Sequence, residues 1–319
     1  MKNLIPIALL ALLSLSSRLL GQSEDAVRTK APAISVDQPE YLIPPTHADQ
    51  KYGTHPRQIF DIWLAPSEHP TPVFLSIHGG GFRGGKRSVK SKILKQCLEK
   101  GISVAALTYR FSSDAIQPSS FVDVARAVQT IRSKATKWNL DKTRFASSGG
   151  SAGAGLSLWL AFHDDMAKPN SPDLIAQQST RLLGAYVSNG QCTYDPRTIR
   201  KMFPGKDTWR HSALAHMFGI DMNDLDHLPQ EKYDLMESVA AINHLTADDP
   251  PVILTYSRPF DIEVTSQSIG IHHPDFGIML KKAMDKLNID CSVYADKKPL
   301  SGQPWITQIE FLKTQFGLE

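Results

Sequence analysis

The stretch "TRFASSGGSAGAGLSLWLAF", Thr143 to Phe162, constrains this chain more than any other. Residues 143–148 read as a short strand, and the residues after Ser151 read as a helix rich in small side chains. Between them stands "GGSAG", a G-x-S-x-G pattern in the strand–turn–helix setting that gives the pattern meaning. A serine on so sharp a turn needs small neighbours, because the backbone is strained and the helix must lie close to the sheet. The turn lifts the hydroxyl above the sheet edge. The helix N-terminus sets positive partial charge beside it, where an oxyanion would be stabilised.

The rest of the chain repeats the alternation. Strand-like runs fall at "RQIFDIWLA", which alternates apolar and polar as a half-buried strand does, "PVFLSI" (72–77), "SVAALTYR" (103–110), "RLLGAYVS" (181–188), "PVILTYS" (251–257) and "DCSVYA". Helical spacing falls between them: Lys90 to Lys100, "SFVDVARAVQTIRSKATKW", "FGIMLKKAMDKLN" (276–288) and a last helix near "WITQIEFLKTQF". Strands alternating with helices predict an α/β fold with a mostly parallel central sheet flanked by helices and a site at the carboxyl ends of its strands. Residues 191–245 break the rhythm with prolines, aromatics and short helical pieces, and read as an inserted cap or lid.

A second glycine-rich loop, "SIHGGGFRGGKRS", also follows a strand. Its glycines free backbone N–H groups to point at a bound oxygen, with His78 as a structural loop histidine. The rival is a phosphate loop. Gly80 to Lys86 matches G-x-x-x-x-G-K, but Arg87 stands where Ser or Thr is needed. Gly79 to Gly84 matches G-x-G-x-x-G, but no helix opens after it.

Together the "GGSAG" turn and the "HGGGF" loop resemble the α/β-hydrolase fold. Within it they are similar to the esterase/lipase branch with an HGGG loop, which includes hormone-sensitive-lipase-like enzymes and secreted bacterial carbohydrate esterases. The resemblance covers about residue 50 to the end. It implies that Ser151 is the nucleophile and that the N–H groups of Gly80, Gly81 and Ala152 form the oxyanion hole. It also implies an acid after a late strand, where Asp261 stands, with Asp195 as runner-up. It further implies a histidine after the last strand, in "DKKPLSGQPW", and there the chain departs from the pattern, because that segment has none.

A serine hydroxyl is a weak nucleophile without an adjacent base. The histidines downstream of both Ser151 and Asp261 are His272 and His273, in "IHHPD". Three readings of that segment stand: a displaced catalytic base, with His272 preferred; a structural or substrate-contacting loop in a protein of reduced activity; and a metal site from His272, His273 and Asp275.

The N-terminus, "MKNLIPIALLALLSLSSRLLG", has a lone Lys2, an apolar run from Leu4 to Leu15 and a small-residue edge at Gly21. It reads as a secretory signal over 1–21, followed by a polar arm over 22–50 and a single hydrolase domain over 51–319. Without residues 1–21 the chain carries 33 basic and 32 acidic side chains, so nothing favours nucleic acid or an anionic membrane. Cys97, Cys192 and Cys291 are too few for a disulfide framework; export would permit one bridge, and three buried thiols is the simpler reading. The expectation is a secreted or periplasmic serine ester hydrolase without cofactor or metal. The resemblance, with export, implies a short-acyl or aromatic ester as substrate, either a small molecule or linked to polysaccharide. A catalytically impaired hydrolase-fold binding protein and a serine peptidase are the competing readings.

Overall fold

A computed structural model describes residues 41–300 and 303–319. The expected signal segment and all but the end of the expected arm lie outside these residues. Nine strands form one sheet: β1 His47–Lys51, β2 Ile59–Trp63, β3 Thr71–Ile77, β4 Ser103–Leu107, β5 Leu140–Gly150, β6 Ala185–Ser188, β7 Val252–Tyr256, β8 Cys291–Ala295 and β9 Lys298–Pro299. Their spatial order is β1-β2-β4-β3-β5-β6-β7-β8-β9. From β4 to β8 every pairing is parallel; β1, β2 and β9 are antiparallel at the edges.

Two corrections concern the first edge. Residues 47–50, read from sequence as part of a polar arm, belong to β1, whose Gln50 pairs with Phe60. β2 is buried along its whole length rather than on one face. Its polar Asp61 mimics an outward residue in the sequence, but Arg87 and the Tyr41 hydroxyl both bond it inside the protein. An apolar environment tolerates a carboxylate only when it is paired in this way.

The helices are α1 Ser91–Glu99, α2 Ser119–Ser133, α3 Ala135–Trp138, α4 Ala152–Phe162, α5 Pro196–Met202, α6 Ser212–Phe218, α7 Gln230–Val239, α8 Gln267–Ile271, α9 Asp275–Asp285 and α10 Gln308–Phe316. Strand residues alternate between the two sheet faces, so each face buries its own core. Val73, Leu75 and Ile77 join a core with α2, α4 and α9, whereas Phe74 joins one with α1 and α10. α4 is apolar all round and buried at every residue, as a helix lying directly under a sheet must be. A Thr307–Glu310 capping box starts α10, and left-handed Gly317 ends it.

The segment 191–245 sits between β6 and β7 and holds α5, α6, α7 and two short 3₁₀ turns. β8 leads into a two-residue turn, Asp296–Lys297, with φ of 49° and 60°. The chain then folds back antiparallel as β9, with Ala295 opposite Lys298. No histidine stands in this hairpin or in the chain after it. All three cysteines are free and buried. Among the described residues, no helix is long and apolar enough to cross a membrane.

Candidate active site

β5 ends at Gly150 and α4 begins at Ala152, leaving Ser151 alone on the turn with φ 52° and ψ −118°. A non-glycine residue there stores roughly 1–3 kcal/mol of strain, held by its surroundings. Part of the hold is the Ser151 N–H, which donates to the Ser188 carbonyl at 2.9 Å. The rest is close packing of α4 on the sheet. A Cβ on Gly153 would stand 2.2 Å from the Ile77 carbonyl oxygen, so no side chain fits at that position.

Ser151 Oγ lies 2.9 Å from His272 Nε2. The other ring nitrogen, Nδ1, is 2.9 Å from the carbonyl oxygen of Ser268. A carbonyl only accepts, so Nδ1 carries the proton and Nε2 presents its lone pair to the serine hydroxyl, which donates. Two anchors fix this loop. Ser266 caps α8 by accepting from the Ile269 N–H, and buried Gln191 donates its side-chain amide to the Ile271 carbonyl beside His272. Burial, followed by the charge of Arg258, lowers the His272 pKa against the opposing pull of the Ser268 carbonyl.

The neighbouring His273 faces away. It is buried, its Nε2 donates to the Ile262 carbonyl at 3.0 Å, and its Nδ1 accepts from the Asp275 N–H at 3.2 Å. It ties the loop after β7 to the start of α9. Nor is Asp261 brought to the imidazole. It is exposed on the turn after β7 and makes no side-chain hydrogen bond or ion pair among the described residues. Asp195, the runner-up, caps α5 through the Arg197 N–H and also pairs with the Arg197 guanidinium. The expected Ser–acid–His set is therefore a Ser151–His272 pair in this structure, with a main-chain carbonyl where the acid was expected. Among the described residues, no group of three or more His, Cys, Asp and Glu is placed to hold a metal ion.

The "HGGGF" loop faces the serine. Gly80, at φ 119°, takes a conformation closed to other residues, and a Cβ there would strike the Gly84 carbonyl at 2.1 Å. The N–H groups of Gly80, Gly81 and Ala152 find no acceptor among the described residues and stand free for one. His78 lies beneath the loop, stacked on Tyr109, with Nδ1–H donating to the Gly79 carbonyl at 2.7 Å. Burial pushes its pKa down to about 4, with further lowering from Arg57. The phosphate-loop pattern has no phosphate-loop setting: α1 opens only at Ser91, and Arg87 is committed to Asp61 and Asp49.

A cavity of about 350 Å³ opens over Ser151 and His272. Its walls are largely apolar: Phe82, Tyr194, Ala213, Leu214, Met217 and Ile271, several of them from the cap segment. His211 and Arg83 also line it, and sequence reading missed both: nothing local ties the cap, which carries His211, to the serine, and no pattern in the glycine loop marks Arg83. A larger cavity of about 470 Å³ backs onto Gly149 and Gly150 from the α1 and α10 side, but Ser151 and His272 do not line it.

Residues 60–273 match the BD-FAE family model. The probable carboxylic ester hydrolase LipM of Mycobacterium tuberculosis is 25% identical over 233 residues, covering 70% of this chain and 50% of LipM. The chain thus spans about half the length, or less, of the curated relatives it matches. A truncated carbohydrate esterase from gut microbiota aligns with a TM-score of 0.63 at 18% identity, over 85% of this chain and 96% of its own. An acetyl ester-xyloside bifunctional hydrolase from Caldicellulosiruptor lactoaceticus aligns with a TM-score of 0.61 at 15% identity, over 80% and 87%. The shared architecture is the α/β-hydrolase fold.

Proposed function

The chain belongs to the BD-FAE family, and from that premise we propose that it is a carboxylic ester hydrolase working through an acyl-serine intermediate. The observation that carries the reading is the 2.9 Å hydrogen bond from Ser151 Oγ to His272 Nε2 on a strained strand-to-helix turn. It also favours catalysis over a non-catalytic binding role, whose support was the missing histidine after the last strand.

The geometry supports each step. Ser151 Oγ attacks the ester carbonyl carbon as His272 Nε2 takes the hydroxyl proton. The carbonyl oxygen becomes an oxyanion facing the free N–H groups of Gly80, Gly81 and Ala152. The C–O bond to the alcohol breaks, and His272 returns the proton to the leaving oxygen. Water, deprotonated by the same nitrogen, then attacks the acyl-serine, and collapse restores Ser151 and releases the acid. Throughout, the Ser268 carbonyl holds the Nδ1 proton and keeps the ring in register. It has no negative charge, so it stabilises the imidazolium less than a carboxylate would.

An apolar cavity of about 350 Å³ suits a short acyl group or a single aromatic ring. The names of the similar proteins support an ester substrate, and those of the two solved structures support one linked to carbohydrate. The apolar N-terminal run supports export. The test is active-site labelling. An organophosphate should add to Ser151, seen by peptide mass spectrometry, and Ser151→Ala should lose about 10³-fold or more of ester turnover. Wild-type turnover in Ser151→Ala would refute the reading.

A further inference from the structure

Among the described residues, Arg83 and Arg258 stand apart. Every other arginine has a carboxylate, a main-chain carbonyl or an aromatic ring against its guanidinium. These two have none, and both are exposed. Both also follow the carboxyl ends of parallel strands, β3 and β7, of the same sheet. Arg83 ends the "HGGGFR" loop and lines the cavity over Ser151. Arg258 is on the turn leaving β7, next to Ser257, whose N–H donates to Asn189 Oδ1 at 3.0 Å just past the end of β6, two residues before Gln191 of the cavity lining. Its charge also helps lower the His272 pKa. Among the described residues, no Asp or Glu lines the cavity. A third group, His211, presents a donor: its Nδ1 accepts the Ala213 N–H at 3.2 Å, which places the neutral ring's proton on Nε2. The Arg83 charge, after burial and His272, helps keep that ring neutral.

We infer that the substrate carries a carboxylate on its alcohol side, as an ester of an acidic sugar or acidic phenol does, and that Arg83 and Arg258 receive it. The cavity's apolar residues take the acyl group, and the charged portion stays beside Arg83, the exposed arginine of its lining. A planar guanidinium fork matches a carboxylate, and an unpartnered one beside a cavity with no acid among its described lining attracts anions from solution. The inference rests on the ester-hydrolase reading and deepens it.

The probes are 4-acetoxybenzoate and its neutral methyl ester, each rate divided by that ester's alkaline hydrolysis rate. The wild-type protein should favour the anionic ester by about tenfold in kcat/KM at low ionic strength. That preference should shrink in roughly 0.5 M salt and in Arg83→Gln, Arg258→Gln. Equal or reversed preference in wild type, or a preference that survives in the double variant, would overturn the inference. Calorimetric binding of both esters to Ser151→Ala measures the same preference without turnover. Hydrolysis of neither ester, with tighter binding of the anionic one, would remove the ester-hydrolase reading and keep the anion site. Equal binding would remove the anion site alone.

Discussion

At the scale of single residues, the two adjacent histidines take opposite roles because the backbone between α8 and α9 turns them apart. His272 touches Ser151, and His273 holds Ile262. His272→Ala should therefore cost as much ester turnover as Ser151→Ala, and the double variant should be little worse than either, since groups acting as a unit are not additive. Asp261→Asn should stay within about threefold of wild type in kcat/KM, where removing the charge of a triad aspartate costs about 10⁴-fold. A large loss would mean that Asp261 swings onto the imidazole during turnover. The pH profile follows from the same residue. Burial lowers the His272 pKa, so the neutral base persists below the ordinary value of about 6.5. The acidic limb of kcat/KM should fall below that value. Removing the nearby cation in Arg258→Gln should move the limb upward.

At the scale of elements, the site depends on how closely α4 approaches β3. Gly153→Ala would place a methyl group 2.2 Å from the Ile77 oxygen and 2.7 Å from the His78 oxygen, both backbone atoms. The helix would have to lift, and urea denaturation should show a loss of about 3 kcal/mol or more. The loop after β3 adds a pH term. His78 has a pKa of about 4 in the folded chain and about 6.5 when unfolded. Between those values the unfolded state binds the proton and the folded state does not, so stability falls as pH drops from about 6.5 to 4. The loss is roughly 3 kcal/mol from this residue. Melting curves across that window should be steeper in pH for wild type than for His78→Gln.

At the scale of the whole molecule, a parallel sheet with a core on each face carries the fold without cross-links. The three cysteines are buried and free, and burial pushes the Cys97 thiol up to about 12. Native protein should react slowly with iodoacetamide, and its melting midpoint should be the same with and without reductant. The sequence by itself determined the layered α/β architecture and the serine turn, because both rest on local rules. Apolar runs make buried strands, and "GGSAG" after a strand admits few other backbones. The glycine-rich loop after β3 was legible for the same reason. The edge strand β1 was not, since its residues are polar and its pairing with β2 is made across a turn. The partners of Ser151 were decided only by the tertiary structure. The segment after β8 carries no histidine, and His272 comes instead from the loop after β7, 121 residues along the chain from Ser151. Its orienting group is the Ser268 carbonyl, which every residue type possesses and which therefore leaves no mark in a sequence.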